Sequence, residues 1–178
     1  MEKMKKQLFF FIYSLLFSGI AALTSCSGER GYIDYRGLTM GMSAKQMVDS
    51  IQQKLPNLWL DTTKYEDRYV LADTLARNFT VAVYHQNDTI VDILENYVAS
   101  YNDSTSHLWQ ALHDEFEKVY GWPNMGKHGD LHKEATFQND KGTILLTLLN
   151  TYSPTVTVRY STERGSRPDA PAGLKYKE

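Results

Sequence analysis

Twice in this chain a helical stripe of apolar residues runs up to a proline and gives way to stretches that alternate apolar with polar residues. That order restricts the fold more than any other feature. A helix with one apolar stripe and strands with one apolar face must bury those surfaces against each other. In the first copy Ser43 and Gln46 form a capping box, and Ala44, Met47, Val48, Ile51 and Leu55 follow at helical spacing until Pro56. Strands are expected at 69–75, 79–86 and 89–99. Phe79, Val81 and Val83 alternate with Thr80, Ala82 and Tyr84, and Asn87-Asp88 supplies a tight turn. In the second copy Asp103 or Ser104 is placed to cap a helix striped by Leu108, Trp109, Leu112, Phe116, Val119 and Tyr120. Gly121-Trp122-Pro123 ends that helix. Strands are expected again at 135–138, 143–150 and 155–161.

The fold class read from this order is α+β. Two tandem αβββ units, about 32–101 and 102–162, would form one antiparallel sheet of about six strands with two helices on one face. The halves share element order without residue identity, so two unrelated halves is the competing reading. Residues 163–178 carry Gly165, Pro168, Pro171 and Gly173 among charges and read as a flexible tail.

Cys26 is the only cysteine. Before it, Lys3, Lys5 and Lys6 precede an apolar run from Leu8 to Leu23. The run is short against the roughly 20 residues that cross a bilayer, and it fits a removable signal peptide over 1–25. Leu23-Thr24-Ser25-Cys26 resembles the lipobox of bacterial lipoproteins. The resemblance implies cleavage before Cys26, a diacylglycerol on its thiol and a membrane anchor of several acyl chains, each worth about 0.8 kcal/mol per buried CH₂. Residues 26–31 would be a lipidated tether. Ser27, where an aspartate would retain the protein, resembles the enteric pattern for the outer membrane, with the leaflet left open. An ordinary secreted protein or an uncleaved helix is the alternative. A lipidated Cys26 leaves no thiol for a disulfide, a zinc site or a nucleophile in the folded domain. No cofactor is expected beyond that covalent lipid.

Of 19 basic and 21 acidic residues, three lysines and one glutamate lie in the signal segment, so the remainder has a net charge of about −4. No basic patch interleaved with aromatics occurs, which argues against nucleic acid as a partner. The chain is long enough for one well-buried domain.

Gly41-Met42-Ser43 before the first helix and Gly121-Trp122-Pro123 after the second resemble the small lipoproteins of the SmpA/OmlA type and the β-lactamase-inhibitor-protein-like fold. Tyr35-Arg36-Gly37-Leu38 and Val119-Tyr120-Gly121-Trp122-Pro123 are similar to segments of uncharacterised envelope lipoproteins of the Bacteroides group. The likeness covers about residues 32–162. It implies a non-enzymatic module of the cell envelope or periplasm that binds another protein. It brings no catalytic residues, because the matched positions are turns and caps.

Three further readings concern chemistry. His128, Asp130, His132 and Glu134 alternate, so in an extended segment they would face one side and could hold a metal ion for an envelope enzyme. Gly129 instead favours a solvated loop. His113 with Asp114, Glu115 and Glu117 reads as a wet helix surface, and the odd spacing of Asp92 and Glu95 puts them on opposite faces of a strand. Tyrosines are frequent, and aromatics with a polar tip suit interfaces. Tyr84, Trp59 and Trp122 are therefore the candidate binding surface on the open sheet face, for a protein or, alternatively, a glycan or peptide. The competing reading is aromatics that close the edges of the core.

Overall fold

The computed structural model describes residues 33–74 and 78–162. The expected signal peptide, Cys26, the tether and the tail lie outside them. None of the described helices is long and apolar enough to cross a membrane.

Helix α1 spans Ala44–Lys54 and begins with the anticipated capping box: the Ser43 hydroxyl accepts from the Gln46 N–H while the Gln46 side chain accepts from the Ser43 N–H. Its stripe of Ala44, Met47, Val48 and Ile51 is buried. Helix α2 spans Asn102–Tyr120 and buries Thr105, Trp109, Leu112 and Phe116. Its start corrects the expected cap. Tyr101 holds the N-cap position without a side-chain bond, and Asp103 and Ser104 fall inside the first turn. Just before the helix the Ala99 N–H is tied to the Pro154 carbonyl, 2.9 Å away. Gly121, at φ +80°, turns the chain out of α2 as its N–H closes on the Glu117 carbonyl.

The sheet has eight strands where about six were expected, all antiparallel to their neighbours. They are β3 (Leu58–Leu60), β4 (Arg68–Asp73), β5 (Phe79–Gln86), β6 (Thr89–Val98), β7 (Asn124–His128), β8 (His132–Asn139), β9 (Gly142–Leu149) and β10 (Thr155–Thr162). Their order is β3-β4-β5-β6-β10-β9-β8-β7. Each helix is thus followed by four strands, and the two sets join through their last members, β6 and β10. The strands missing from the expectation, β3 and β7, are the two edges. An edge strand pairs on one side only and need not alternate, and Asn-Met-Gly-Lys-His does not.

One row of directly paired positions crosses all eight strands: Leu60, Leu71, Val81, Glu95, Val158, Leu146, Ala135 and Met125. Seven are apolar and one is a carboxylate. A bulge near Tyr84 pairs Tyr84 with Asp92 but His85 with Ile90. The extra residue lets Ile90 and Ile93 both reach the core, although their spacing is odd.

The helices lie against this face at its two sides, α1 on β3–β5 and α2 on β8–β10. Between them sits a small hairpin, β1 (Asp34–Tyr35) and β2 (Leu38–Thr39), joined by Arg36 and Gly37 at positive φ. It buries Ile33 and Tyr35 over the middle of the sheet. The Lys54 ammonium at the end of α1 donates to the Arg36 carbonyl at 2.8 Å and pins the hairpin to the helix.

Candidate interaction surface

The tyrosines mostly serve the interior. The Glu95 side chain is 1% exposed, in the middle of an apolar face. Its Oε1 accepts from the Tyr35 hydroxyl at 2.8 Å and from Arg36 Nε at 2.6 Å, and its Oε2 accepts from the Tyr97 hydroxyl at 2.9 Å. Arg36 Nη2 donates in turn to the Tyr97 oxygen at 2.8 Å. Tyr160 meets Tyr35 edge to face at 5.1 Å. Burial, and then the Glu95 charge, push the phenols of Tyr35, Tyr97 and Tyr160 well above their ordinary range. Burial opposes the Arg36 charge, yet Glu95 with the two tyrosines holds its pKa well above the usual value. Both carboxylate oxygens are engaged and the carboxylate is buried, so this cluster acts as a lock that ties the hairpin to the sheet.

Asp92 lies on the opposite face from Glu95, as the odd spacing requires, and pairs with Arg159 Nη2 at 2.6 Å. On that open face Tyr84 is half-buried, with the Arg68 guanidinium over its ring at 5.5 Å and over Tyr65 at 4.6 Å. Burial raises the Tyr84 phenol. Trp59 is 65% exposed on edge strand β3, and Trp122 is 88% exposed just before β7, the other edge. Eight strands at about 4.8 Å spacing put those edges roughly 30 Å apart. Tyr84, Trp59 and Trp122 therefore do not converge on one spot.

The alternating histidine segment is divided by a turn. His132 and Glu134 do share a side of β8, with Nε2 2.9 Å from Oε1. Asp130 sits in the β7–β8 turn, where its carbonyl accepts from Asn150 Nδ2 at 3.2 Å. His128 ends β7 opposite Lys133. A shallow concavity of about 600 Å³ runs along Lys127, Gly129, Asp130, Leu131 and His132. Among the described residues, metal-ligating side chains gather instead on α2, at His113, Asp114 and Glu117. The His113 side chain is 12% exposed, not the wet surface expected. Its i, i+4 relation to Glu117 was the available signal.

The sheet has two unlike ends. One carries the tight turns at Asn87-Asp88 and Asp140-Lys141, and the hairpin residue Ile33 reaches Gly142 there. The seven-residue β3–β4 connection also lies at that end. The other end carries the β7–β8 and β9–β10 loops and the start of α2, which a single amide ties together. Asn150, buried, accepts from the Thr105 hydroxyl at 2.6 Å. It donates to Ser106 Oγ at 3.0 Å and to the Asp130 carbonyl, while its backbone N–H reaches the Leu131 carbonyl at 2.8 Å. Every polar group of that side chain is used. Around this clamp stand five of the ten large apolar side chains exposed among the described residues. Val98, Thr155, Leu149 and His132 are paired in sequence across β6, β10, β9 and β8, and Val98 and Leu149 are exposed. Leu131 is 64% exposed and Tyr101 is 73% exposed, and Tyr152 stands fully in solvent. Sequence patterning did not mark these residues, since each lies at a strand end or in a loop.

Comparison with protein-family models, with curated proteins and with solved structures found no match.

Proposed function

We propose that this chain is a lipid-anchored protein of the bacterial envelope, at the outer membrane, that works as a non-enzymatic docking module for another protein. The observation that carries the reading is the loop end of the sheet. Five large apolar side chains are exposed there: Val98 and Leu149 at strand ends, and Tyr101, Leu131 and Tyr152 in the adjoining segments. They stand beside the buried Asn150 amide that joins the start of α2 to the β7–β8 and β9–β10 loops. Exposed apolar patches of this kind mark binding surfaces. Aromatics on rigid loops contribute most per residue because little entropy is lost on binding.

The direction of the anchor supports the same reading. Ile33 and Thr162 both lie at the turn end, beside Gly142. A chain from Cys26 to Ile33 reaches at most roughly 25 Å. A domain held by its turn end presents the loop end away from the bilayer, toward a protein in the periplasm or outside the cell. In this reading the two helix-plus-four-strand halves are a tandem pair, an amended form of the expected αβββ units. The likeness to SmpA/OmlA-type lipoproteins points the same way, because relatives of known role in that fold bind proteins.

The test is crosslinking of the lipidated protein in its native envelope, followed by its purification. The expected result is one stoichiometric partner that is lost in Leu131→Asp/Tyr152→Asp and kept in Tyr84→Ala. Loss in Tyr84→Ala with retention in the double variant would move the interface to the open sheet face.

A further inference from the structure

We propose that His113, Asp114 and Glu117 of α2 form a binding site for a divalent transition-metal ion, zinc foremost. His113 Nδ1 lies 3.4 Å from Asp114 Oδ1 and 3.7 Å from Glu117 Oε2. The three ligand atoms all lie within 4.8 Å of one another. Tetrahedral zinc, with bonds of roughly 2.1 Å, spaces its ligands about 3.4 Å apart. Both imidazole–carboxylate edges are therefore close to the ion's own geometry.

The imidazole is held in place from behind. Its ring stacks on Trp109 with centroids 5.0 Å apart at 29°, and it meets the edge of Phe137 at 5.7 Å. Those contacts belong to the core, so the ring's orientation is set by packing and costs nothing further on binding. Glu117 stands one turn along the helix on the same side. Gln110 Nε2 donates to Asp114 Oδ1 at 2.7 Å, the kind of outer partner that aims a ligating carboxylate. Asp114 is exposed, which leaves a fourth position open to water. One nitrogen and two carboxylate oxygens suit zinc, cobalt or nickel, whereas calcium and magnesium take oxygen sets and copper(I) takes sulfur. The site stands apart from the loop-end surface and does not depend on it.

Trp109 is a built-in reporter, since an open-shell ion on His113 lies within quenching range of the ring stacked against it. Trp59 and Trp122 are changed to phenylalanine so that only Trp109 emits. The metal-stripped full chain is then titrated with Co²⁺, following fluorescence and visible absorption. The expected result is saturation at one equivalent with the d–d bands of a low-symmetry cobalt site. Glu117→Gln and Asp114→Asn each shift the midpoint at least tenfold, and His132→Gln leaves it unchanged. Glu117 is part-exposed, so its variant keeps the fold even where His113→Gln loses it. Quenching that never saturates, or an unchanged midpoint in Glu117→Gln, would overturn the site and leave a histidine beside two carboxylates.

Discussion

Removing the Glu95 carboxylate is the sharpest perturbation available in the core. In Glu95→Ala the Arg36 guanidinium, its side chain about one-fifth exposed, loses its anion. The hydroxyls of Tyr35 and Tyr97 lose the oxygens to which they donate. Stripping one partner from a buried pair costs about 3–5 kcal/mol, because the remaining charge stays desolvated and uncompensated. For a domain of this size that lowers the melting temperature by roughly 10–20 °C. The companion variant Arg36→Met/Glu95→Leu removes both charges together. It is expected to recover much of the loss, as replacement of a buried pair by apolar residues often does, with the orphaned phenols the remaining cost. Urea unfolding of both variants measures the comparison, with an unchanged m-value as the sign that the same cooperative unit unfolds. A Glu95→Ala cost below about 1 kcal/mol, the size of a surface pair, would refute the reasoning. So would a double variant less stable than the single one.

Other consequences follow from the same geometry. Asn150→Ala is expected to cost about 2–4 kcal/mol, because Thr105, Ser106 and the Asp130 carbonyl all lose a partner. Hydrogen exchange should then quicken at residues 99–105, 129–132 and 150–154 together, and a change confined to one loop contradicts the clamp. Ser43→Ala should cost about 1 kcal/mol through the capping box, read from thermal melts. Alkali should destabilise the domain through Tyr35, Tyr97 and Tyr160, whose folded pKa values are raised. Below pH about 10 both states keep these protons; above it the unfolded chain releases them first, so stability falls by up to roughly 4 kcal/mol per pH unit until the folded phenols ionise. Tyr35→Phe should flatten that slope, and a slope equal to wild type would exclude Tyr35 from it.

Both helices and the inner strands were legible because their side chains repeat at 3.6 or at 2. The stretch 79–86 coincides with β5, and the Asn87-Asp88 turn takes positive φ at both residues. What failed to show was what lacks periodicity. Strand β3 has three residues and β7 has no alternation, yet these two edges turn six strands into eight. The Glu95 cluster left a partial trace: Ile93, Glu95 and Tyr97 share one face of β6, so a carboxylate stands in an inward position. Its partner Arg36 is 59 residues away, brought by a hairpin too short to announce itself. The abundance of tyrosine pointed to a surface, whereas Tyr35 and Tyr160 are buried. The exposed residues of the loop end left no pattern for the same reason, since Leu131, Tyr101 and Tyr152 come from separate segments brought to one end of the sheet by the register of β6, β10, β9 and β8.

Photo-crosslinking from single positions in living cells tests the docking reading most directly. A photoreactive side chain is placed in turn at Leu131, Tyr152, Tyr84, Trp59 and Trp122 of the chain, with Cys26 kept. The account predicts one protein adduct of the same mass from positions 131 and 152, and none of that mass from 84, 59 or 122. An adduct from the sheet-face positions alone, or lipid as the only species captured at 131 and 152, would contradict it.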